Sequence, residues 1–222
     1  MRHVLLCLIA LSTLARPAAA GDRKYAPFSE YEMARDAEVA LARSAAPETI
    51  SARATIKVLT HEGFQVAVKG DNGFVCFVMR SWSAAPEPEA TYYARLRAPI
   101  CLDPVAARTV APAEELRTRL GLQGRTPDEI ARDVAASYGR GELPKREGVA
   151  FGYMWSADQD TGPGAGAWHP HMMVYAPYYE NSTLGGNEVA GHAPFVLEAG
   201  GSPFSIVIIR VDDSLAIKAD GP

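Results

Sequence analysis

Two histidines separated by one proline are the residues of this sequence whose types and spacing best suit chemistry. In an extended segment, side chains two residues apart project from the same face, so His169 and His171 can direct both imidazoles at one centre. Imidazole nitrogen is a common zinc ligand, and a catalytic zinc site has three protein ligands and one open position. The pair therefore suggests a metal site that still needs a third ligand.

The third ligand has several candidates in the sequence. His192 is the best remaining nitrogen donor, and three carboxylates are alternatives: Asp158, Asp160 and Glu180. Zinc held in this way would lower the pKa of a bound water and could drive hydrolysis. A His-x-His pair is, however, far less specific than the helical H-E-x-x-H motif. The competing interpretation is that both histidines lie on an amphipathic strand and make ordinary hydrogen bonds.

Aromatic residues are frequent in the second half of the chain and suggest a ligand groove beside the histidines. Tyr153 and Trp155 share a face if both lie on one strand, and Tyr175 joins them if the next strand pairs suitably. Such a groove would suit a small molecule or a carbohydrate. The alternative is that these rings pack in the core with their polar atoms at its edge.

The first twenty residues have the pattern of a cleavable secretory signal peptide. A short positive start at Arg2 precedes the apolar stretch 4–15 and the small residues 18–20. The stretch of twelve residues is too short for a membrane-spanning helix, which needs about 20. We expect cleavage after Ala20, export to the periplasm or beyond the cell, and a mature chain, 21–222, without a membrane span.

The composition is typical of a folded domain, with 48% hydrophobic and 22% charged residues. Cleavage after residue 20 removes two arginines and no acidic residue, so the formal charge of -4 becomes -6. A mildly acidic chain without a basic run argues against a nucleic-acid partner. Its length predicts a single domain.

Two cysteines remain after that cleavage, Cys76 and Cys101. In an oxidising compartment, such a pair is more often a disulfide than a catalytic or metal-binding pair. The bridge would close a loop of about 25 residues, worth roughly 3 to 4 kcal/mol in the chain-entropy model. The alternative is that Cys76, which lies in an apolar run, is a buried free thiol.

The elements that must position these residues begin with a helix. Ser29 and Glu32 form a capping box that predicts its start, and Pro47 ends the segment. Tight turns then separate apolar runs and predict a three-stranded meander. Its strands are 54–60, 64–69 and 74–80.

Helical signals fill the middle of the chain. Asp103 and Thr126 are N-cap residues, each followed by proline at the first helical position, and Pro112 begins a helix between them. The strand pattern resumes at 149–157, 169–175 and 204–211. The prediction is an α+β fold with an antiparallel sheet, an N-terminal helix and a helical insertion at about 103–139.

Five segments, taken in order, resemble a family of uncharacterised exported bacterial proteins. They are EVALARSAAP at 38–47, NGFVC at 72–76, CLDP at 101–104, GELP at 141–144 and WHPHM at 168–172. They span most of the mature chain. The resemblance implies export and a single architecture, and it carries no activity and no catalytic residue.

The leading functional hypothesis is a non-catalytic exported protein that binds a small molecule or an envelope component, or has a structural role in the envelope, without a cofactor. It rests on the lack of a complete catalytic set, since the sequence has neither a G-x-S-x-G elbow nor a phosphate-binding G-x-x-x-x-G-K-[ST] loop. The alternative is a zinc-dependent hydrolase built on His169, His171 and a third ligand.

Overall fold

The computed structural model describes residues 24–84, 90–145, 148–164, 168–185, 193–198 and 200–219. The predicted signal peptide and His192 lie outside these ranges. The described helices are α1 (Arg35–Arg43), α2 (Glu48–Ser51), α3 (Ser81–Ala84), α4 (Pro104–Thr109), α5 (Ala111–Leu122) and α6 (Pro127–Gly139). The described strands are β1 (Thr55–Thr60), β2 (Gly63–Val68), β3 (Val75–Met79), β4 (Ala98–Leu102), β5 (Ala150–Met154), β6 (His171–Tyr175), β7 (Phe195–Glu198) and β8 (Ile206–Arg210).

All eight of these strands form one sheet, in the order β2-β1-β3-β4-β5-β6-β8-β7. Neighbouring strands are antiparallel except β1 and β3, which run parallel over a short register. The α+β class with a mostly antiparallel sheet is therefore confirmed. The strand β7, at one edge, was not predicted from the sequence pattern.

The first three strands do not follow the order of a simple meander, because β3 pairs with β1 rather than with β2. After β2 the chain crosses closely over the start of β1 at Gly70, where an added Cβ would lie 2.2 Å from the carbonyl carbon of Ala54. Asn72 then turns the chain by accepting from the Phe74 amide and donating to the Ile50 carbonyl. The apolar β3 thereby enters the sheet interior, while β2, with an exposed Gln65, forms the other edge.

Helices cover the two faces of the sheet unequally. Helix α1 packs against β1, β3 and β4 on one face, and α4 and α5 lie against β2, β4 and β5 on the other. None of the described helices is both long enough and apolar enough to cross a membrane.

The first helix begins five residues later than the capping box predicts. Its N-cap is Ala34, and Ser29 lies in a 3-10 turn, Phe28–Glu30. The reason is tertiary, because the adjacent Tyr31 is buried in the core and its carbonyl accepts a hydrogen bond from Arg80. Packing of Tyr31 therefore overrides the local capping signal.

The helical signals of the middle segment are confirmed. The side chain of Asp103 accepts from the Ala106 amide at the start of α4. Thr126 and Glu129 form a complete capping box at the start of α6, with proline at the first helical position. These caps depend only on residues three apart, so the sequence alone specifies them.

The predicted disulfide is present between Cys76 and Cys101. The two residues lie directly opposite each other on β3 and β4, and both are fully buried under α1. The bridge joins adjacent central strands, and while it is closed neither cysteine has a free thiol that could act as a nucleophile or bind a metal.

Candidate functional site

The histidine pair lies where β6 begins, and its first member is held by an acidic side chain. His169 precedes the strand, and its Nδ1 atom lies 2.9 Å from a carboxylate oxygen of Asp213. Asp213 comes from a 3-10 turn, Asp213–Leu215, that follows β8. This contact fixes the orientation of the His169 ring relative to the strand.

His171 is held by the backbone of its own segment. Its Nδ1 atom lies 2.7 Å from the carbonyl oxygen of His169, and the residue pairs with Met154 and Arg210 on the neighbouring strands. Burial lowers the pKa of the His171 imidazole, and the positive charge of Arg210 acts in the same direction. His171 is therefore favoured in its neutral form, the form that can bind a metal.

The described residues do not bring a third metal ligand to this pair. No group of three or more histidine, cysteine or acidic side chains in the described ranges could hold a metal ion. The carboxylates proposed from the sequence have other partners: Asp158 accepts from the Ala219 amide, Asp160 from the Tyr93 hydroxyl, and Glu180 from the Ser182 hydroxyl. His192, the remaining candidate, lies outside the described residues.

The three aromatic residues proposed to form a groove are divided between the two faces of the sheet. Tyr153 lies opposite Met172, and Tyr175 lies opposite Ala150. Because successive side chains of a strand alternate between faces, Tyr153 and Tyr175 point in opposite directions. Trp155 stays with Tyr153, at 5.8 Å between ring centroids. The structure therefore does not assemble these three side chains into one groove.

A different cleft brings five aromatic side chains together near the start of the described chain. It has a volume of about 520 Å³. Its aromatic lining is Tyr25, Phe28, Tyr31, Trp82 and Tyr92, and the end of α5 with the turn after it (121–124) and Thr126 closes one side. We call this site the aromatic cleft.

The rings of the aromatic cleft are arranged around Trp82. The ring of Tyr31 packs on that of Trp82 at 4.4 Å between centroids, and the Tyr25 ring meets it edge-on at 5.9 Å. The Tyr92 ring packs on the Tyr25 ring, at 5.0 Å between centroids. Trp82 Nε1 donates to the Thr118 hydroxyl, which satisfies the polar atom of this buried indole.

Helix α5 holds Trp82 in place through a residue without a side chain. A Cβ added at Gly121 would lie 2.6 Å from the Trp82 ring, so the indole packs directly on the helix backbone. Only glycine permits this approach, because a Cβ atom at that distance would force the ring to move. The position of Trp82 is therefore set by α5 as well as by its aromatic neighbours.

The electrostatics of the cleft are nearly neutral. Lys24 is the one formally charged side chain among its described lining residues. Burial raises the pKa of Tyr25, and the neighbouring Tyr92 adds to the effect. The Tyr25 hydroxyl is buried and has no hydrogen-bond partner among the described residues. An unsatisfied buried donor of this kind costs about 1 to 3 kcal/mol, which a ligand acceptor or an ordered water would offset.

Sequence reasoning did not find the aromatic cleft. Tyr25, Phe28 and Tyr31 recur at three-residue spacing, which is the only local signal. Trp82, Tyr92 and the loop after α5 are far away in the sequence, and only the fold brings them to the same place.

Comparison with known protein families, with curated proteins and with solved structures finds no match to this chain.

Proposed function

We propose that the protein is exported and non-catalytic, and that it binds a small molecule with a flat apolar ring in the aromatic cleft. The observation that carries this proposal is the lining of the cleft, where five aromatic side chains surround about 520 Å³. Clefts of roughly 300 to 1,000 Å³ with a mainly apolar lining are typical of small-molecule sites.

The lining favours binding over catalysis. Among the described residues it contains no histidine, cysteine or carboxylate, and its ionisable side chains are Lys24 and three tyrosines. It therefore lacks the imidazole or carboxylate that most often acts as a general acid or base. Tyrosine and tryptophan rings instead provide large contact surfaces for an aromatic ring or for the apolar face of a sugar. The chemistry of the lining thus matches a binding protein.

The polar features of the cleft point to a ligand with a hydrogen-bond acceptor. The unpaired Tyr25 hydroxyl can donate to such a group, and Lys24 places a positive charge at the same site. An aromatic carboxylate combines a flat ring with a charged acceptor. We therefore expect an aromatic carboxylate to bind more tightly than a neutral aromatic ring of similar size.

Export is supported by two independent features. The N-terminal sequence has the pattern of a signal peptide, and the Cys76–Cys101 bridge is typical of proteins that fold in oxidising compartments. Expression of the full chain in a Gram-negative host should yield periplasmic protein. Its mass should correspond to cleavage after Ala20, and a cytoplasmic product of full mass would contradict export.

The binding test uses three probes and the periplasmic protein. Saturation-transfer NMR with p-hydroxybenzoate, indole and methyl β-glucoside reports which ring class binds, and Trp fluorescence gives the affinity. We expect binding in the order p-hydroxybenzoate, indole, glucoside.

Two tyrosine variants locate the site. Tyr92→Ala removes a partly exposed wall of the cleft and should weaken p-hydroxybenzoate binding at least tenfold. Tyr179→Ala removes an exposed ring that is not part of the cleft lining and should leave binding unchanged. Absence of binding by all three probes, or equal effects of the two substitutions, would contradict the proposal.

A further inference from the structure

We propose that His169 and His171 together bind one divalent transition-metal ion through their Nε2 atoms, with Asp213 as a positioning residue for the first imidazole. The site is separate from the aromatic cleft and does not depend on the function proposed for it. No hydrolytic step is assigned to it, because the described residues supply no third ligand to the pair.

The first argument is the engagement of both Nδ1 atoms. His169 uses Nδ1 to contact the Asp213 carboxylate at 2.9 Å, and His171 uses Nδ1 to contact a backbone carbonyl at 2.7 Å. Histidine ligands of metals characteristically donate the N–H of the ring nitrogen that does not bind the metal to a carboxylate or a backbone carbonyl. Both arrangements occur here, on two histidines that are two residues apart.

The second argument is that both Nε2 atoms lack a hydrogen-bond partner among the described residues. With Nδ1 protonated and donating, Nε2 carries the lone pair that a metal ion requires. The His169 side chain is about one-third exposed, so an ion can reach this ring from solvent.

The charges around the pair partly balance one another. Arg210 lies directly across from His171 on β8 and opposes a cation, whereas Asp213 at His169 favours one. The indole of Trp168 lies beside His171, at 6.2 Å between centroids, and its buried Nε1 has no partner among the described residues.

The donor set determines the class of metal. Two imidazoles suit Zn²⁺, Cu²⁺ and Ni²⁺, whereas Mg²⁺ and Ca²⁺ prefer oxygen ligands. We therefore expect Cu²⁺ and Zn²⁺ to bind and Mg²⁺ not to bind. The affinity should be moderate, since two protein ligands provide fewer bonds than the four of a structural zinc site.

The test is calorimetric titration of the periplasmic protein, stripped with EDTA, with ZnCl₂, CuCl₂ and MgCl₂ at pH 7.5. The expected result is one Zn²⁺ or Cu²⁺ per chain and no heat with Mg²⁺. His169→Ala and His171→Ala should each weaken Zn²⁺ binding at least tenfold. Asp213→Asn should weaken it about 10- to 100-fold, as is usual for groups that orient a ligand.

The matched control is His61→Ala. His61 is an exposed histidine on the β1–β2 turn whose ring packs on Phe28, so its removal should leave Zn²⁺ binding unchanged. Unchanged binding in both His169→Ala and His171→Ala would overturn the proposal.

A second measurement needs no variant at the pair. In ¹⁵N-edited imidazole spectra of the unsubstituted protein, Zn²⁺ should shift the Nε2 signals of two histidines and not the signal assigned through His61→Ala. Before Zn²⁺ is added, the same spectra should show Nδ1 protonated in both rings. Loss of this pattern in Asp213→Asn identifies the positioning role of Asp213. Equal shifts of all histidines, or none, would overturn the proposal even if the alanine variants fail to fold.

Discussion

Nη2 of Arg80 lies 2.9 Å from a carboxylate oxygen of Glu38, and both side chains are almost completely buried. The same oxygen accepts from the Leu59 amide, and Arg80 Nε donates to the Tyr31 carbonyl. Burial raises the pKa of Glu38 and lowers that of Arg80, while their mutual attraction opposes both effects. The pair connects α1, β1 and the segment that carries Tyr31 into the aromatic cleft.

The ion pair predicts a large loss of stability when one partner is removed. Arg80→Ala leaves the Glu38 carboxylate buried without its counter-ion and should lower the free energy of unfolding by about 3 to 5 kcal/mol. The measurement is urea unfolding followed by circular dichroism.

Its matched control is an exposed pair. Arg53 lies 2.8 Å from Asp71 with its side chain 67% exposed, and Arg53→Ala should lower the free energy of unfolding far less than Arg80→Ala, because water screens an exposed pair. The double substitution Glu38→Leu/Arg80→Met should be less destabilising than Arg80→Ala, because it removes both charges. Similar losses for Arg80→Ala and Arg53→Ala would show that the buried pair is not important for stability.

The contact between Gly121 and Trp82 predicts opposite effects for two glycine substitutions. Gly121→Ala places a methyl group against the indole and should destabilise the protein by about 1 to 3 kcal/mol. It should also weaken ligand binding in the aromatic cleft, because Trp82 must shift.

Gly139→Ala is the matched control at the end of helix α6. Nothing lies within 4 Å of an added Cβ there, so alanine should be neutral or stabilising by up to about 1 kcal/mol. Thermal unfolding of the two variants side by side measures both effects. A neutral Gly121→Ala would mean that the indole has room to move.

The buried disulfide predicts both a thiol count and a loss of stability. Protein exported and cleaved after Ala20 should show no free thiol in denaturant, whereas a retained Cys7 would add one and an open bridge would add two. In the double variant Cys76→Ala/Cys101→Ala, the free energy of unfolding should fall by roughly 3 to 4 kcal/mol, the chain-entropy value for a 25-residue separation. Reductant should destabilise the unsubstituted protein and have no effect on the double variant.

Local signals account for the features that sequence reasoning predicted correctly. The caps at Asp103 and Thr126 each depend on contacts between residues three apart, and the strand runs follow from an alternating pattern. The capping box at Ser29 is equally regular but does not form, because Tyr31 is buried and held by Arg80. A local signal therefore predicted structure only where no stronger tertiary contact opposed it.

The candidate sites likewise combine features that local sequence predicts with features that only the tertiary structure sets. The proximity of His169 and His171 follows from their spacing in the chain, but the contact with Asp213 joins residues 44 positions apart. The aromatic groove inferred for Tyr153, Trp155 and Tyr175 depended on strand register, and the observed register places Tyr175 on the opposite face. Register is set by packing across the whole sheet, which a single sequence does not reveal.

The sequence by itself determined the mixed α+β class, the helical middle segment and the cysteine pair, because short-range spacing and composition encode all three. Only the tertiary structure decided that β3 joins β1, that Glu38 meets Arg80 inside the protein, and that five aromatic rings from three separate segments form one cleft. These relationships arise because apolar surfaces and charges from separate segments pack against or pair with one another when they are buried. The free energy of each such contact depends on the whole folded chain rather than on any local pattern.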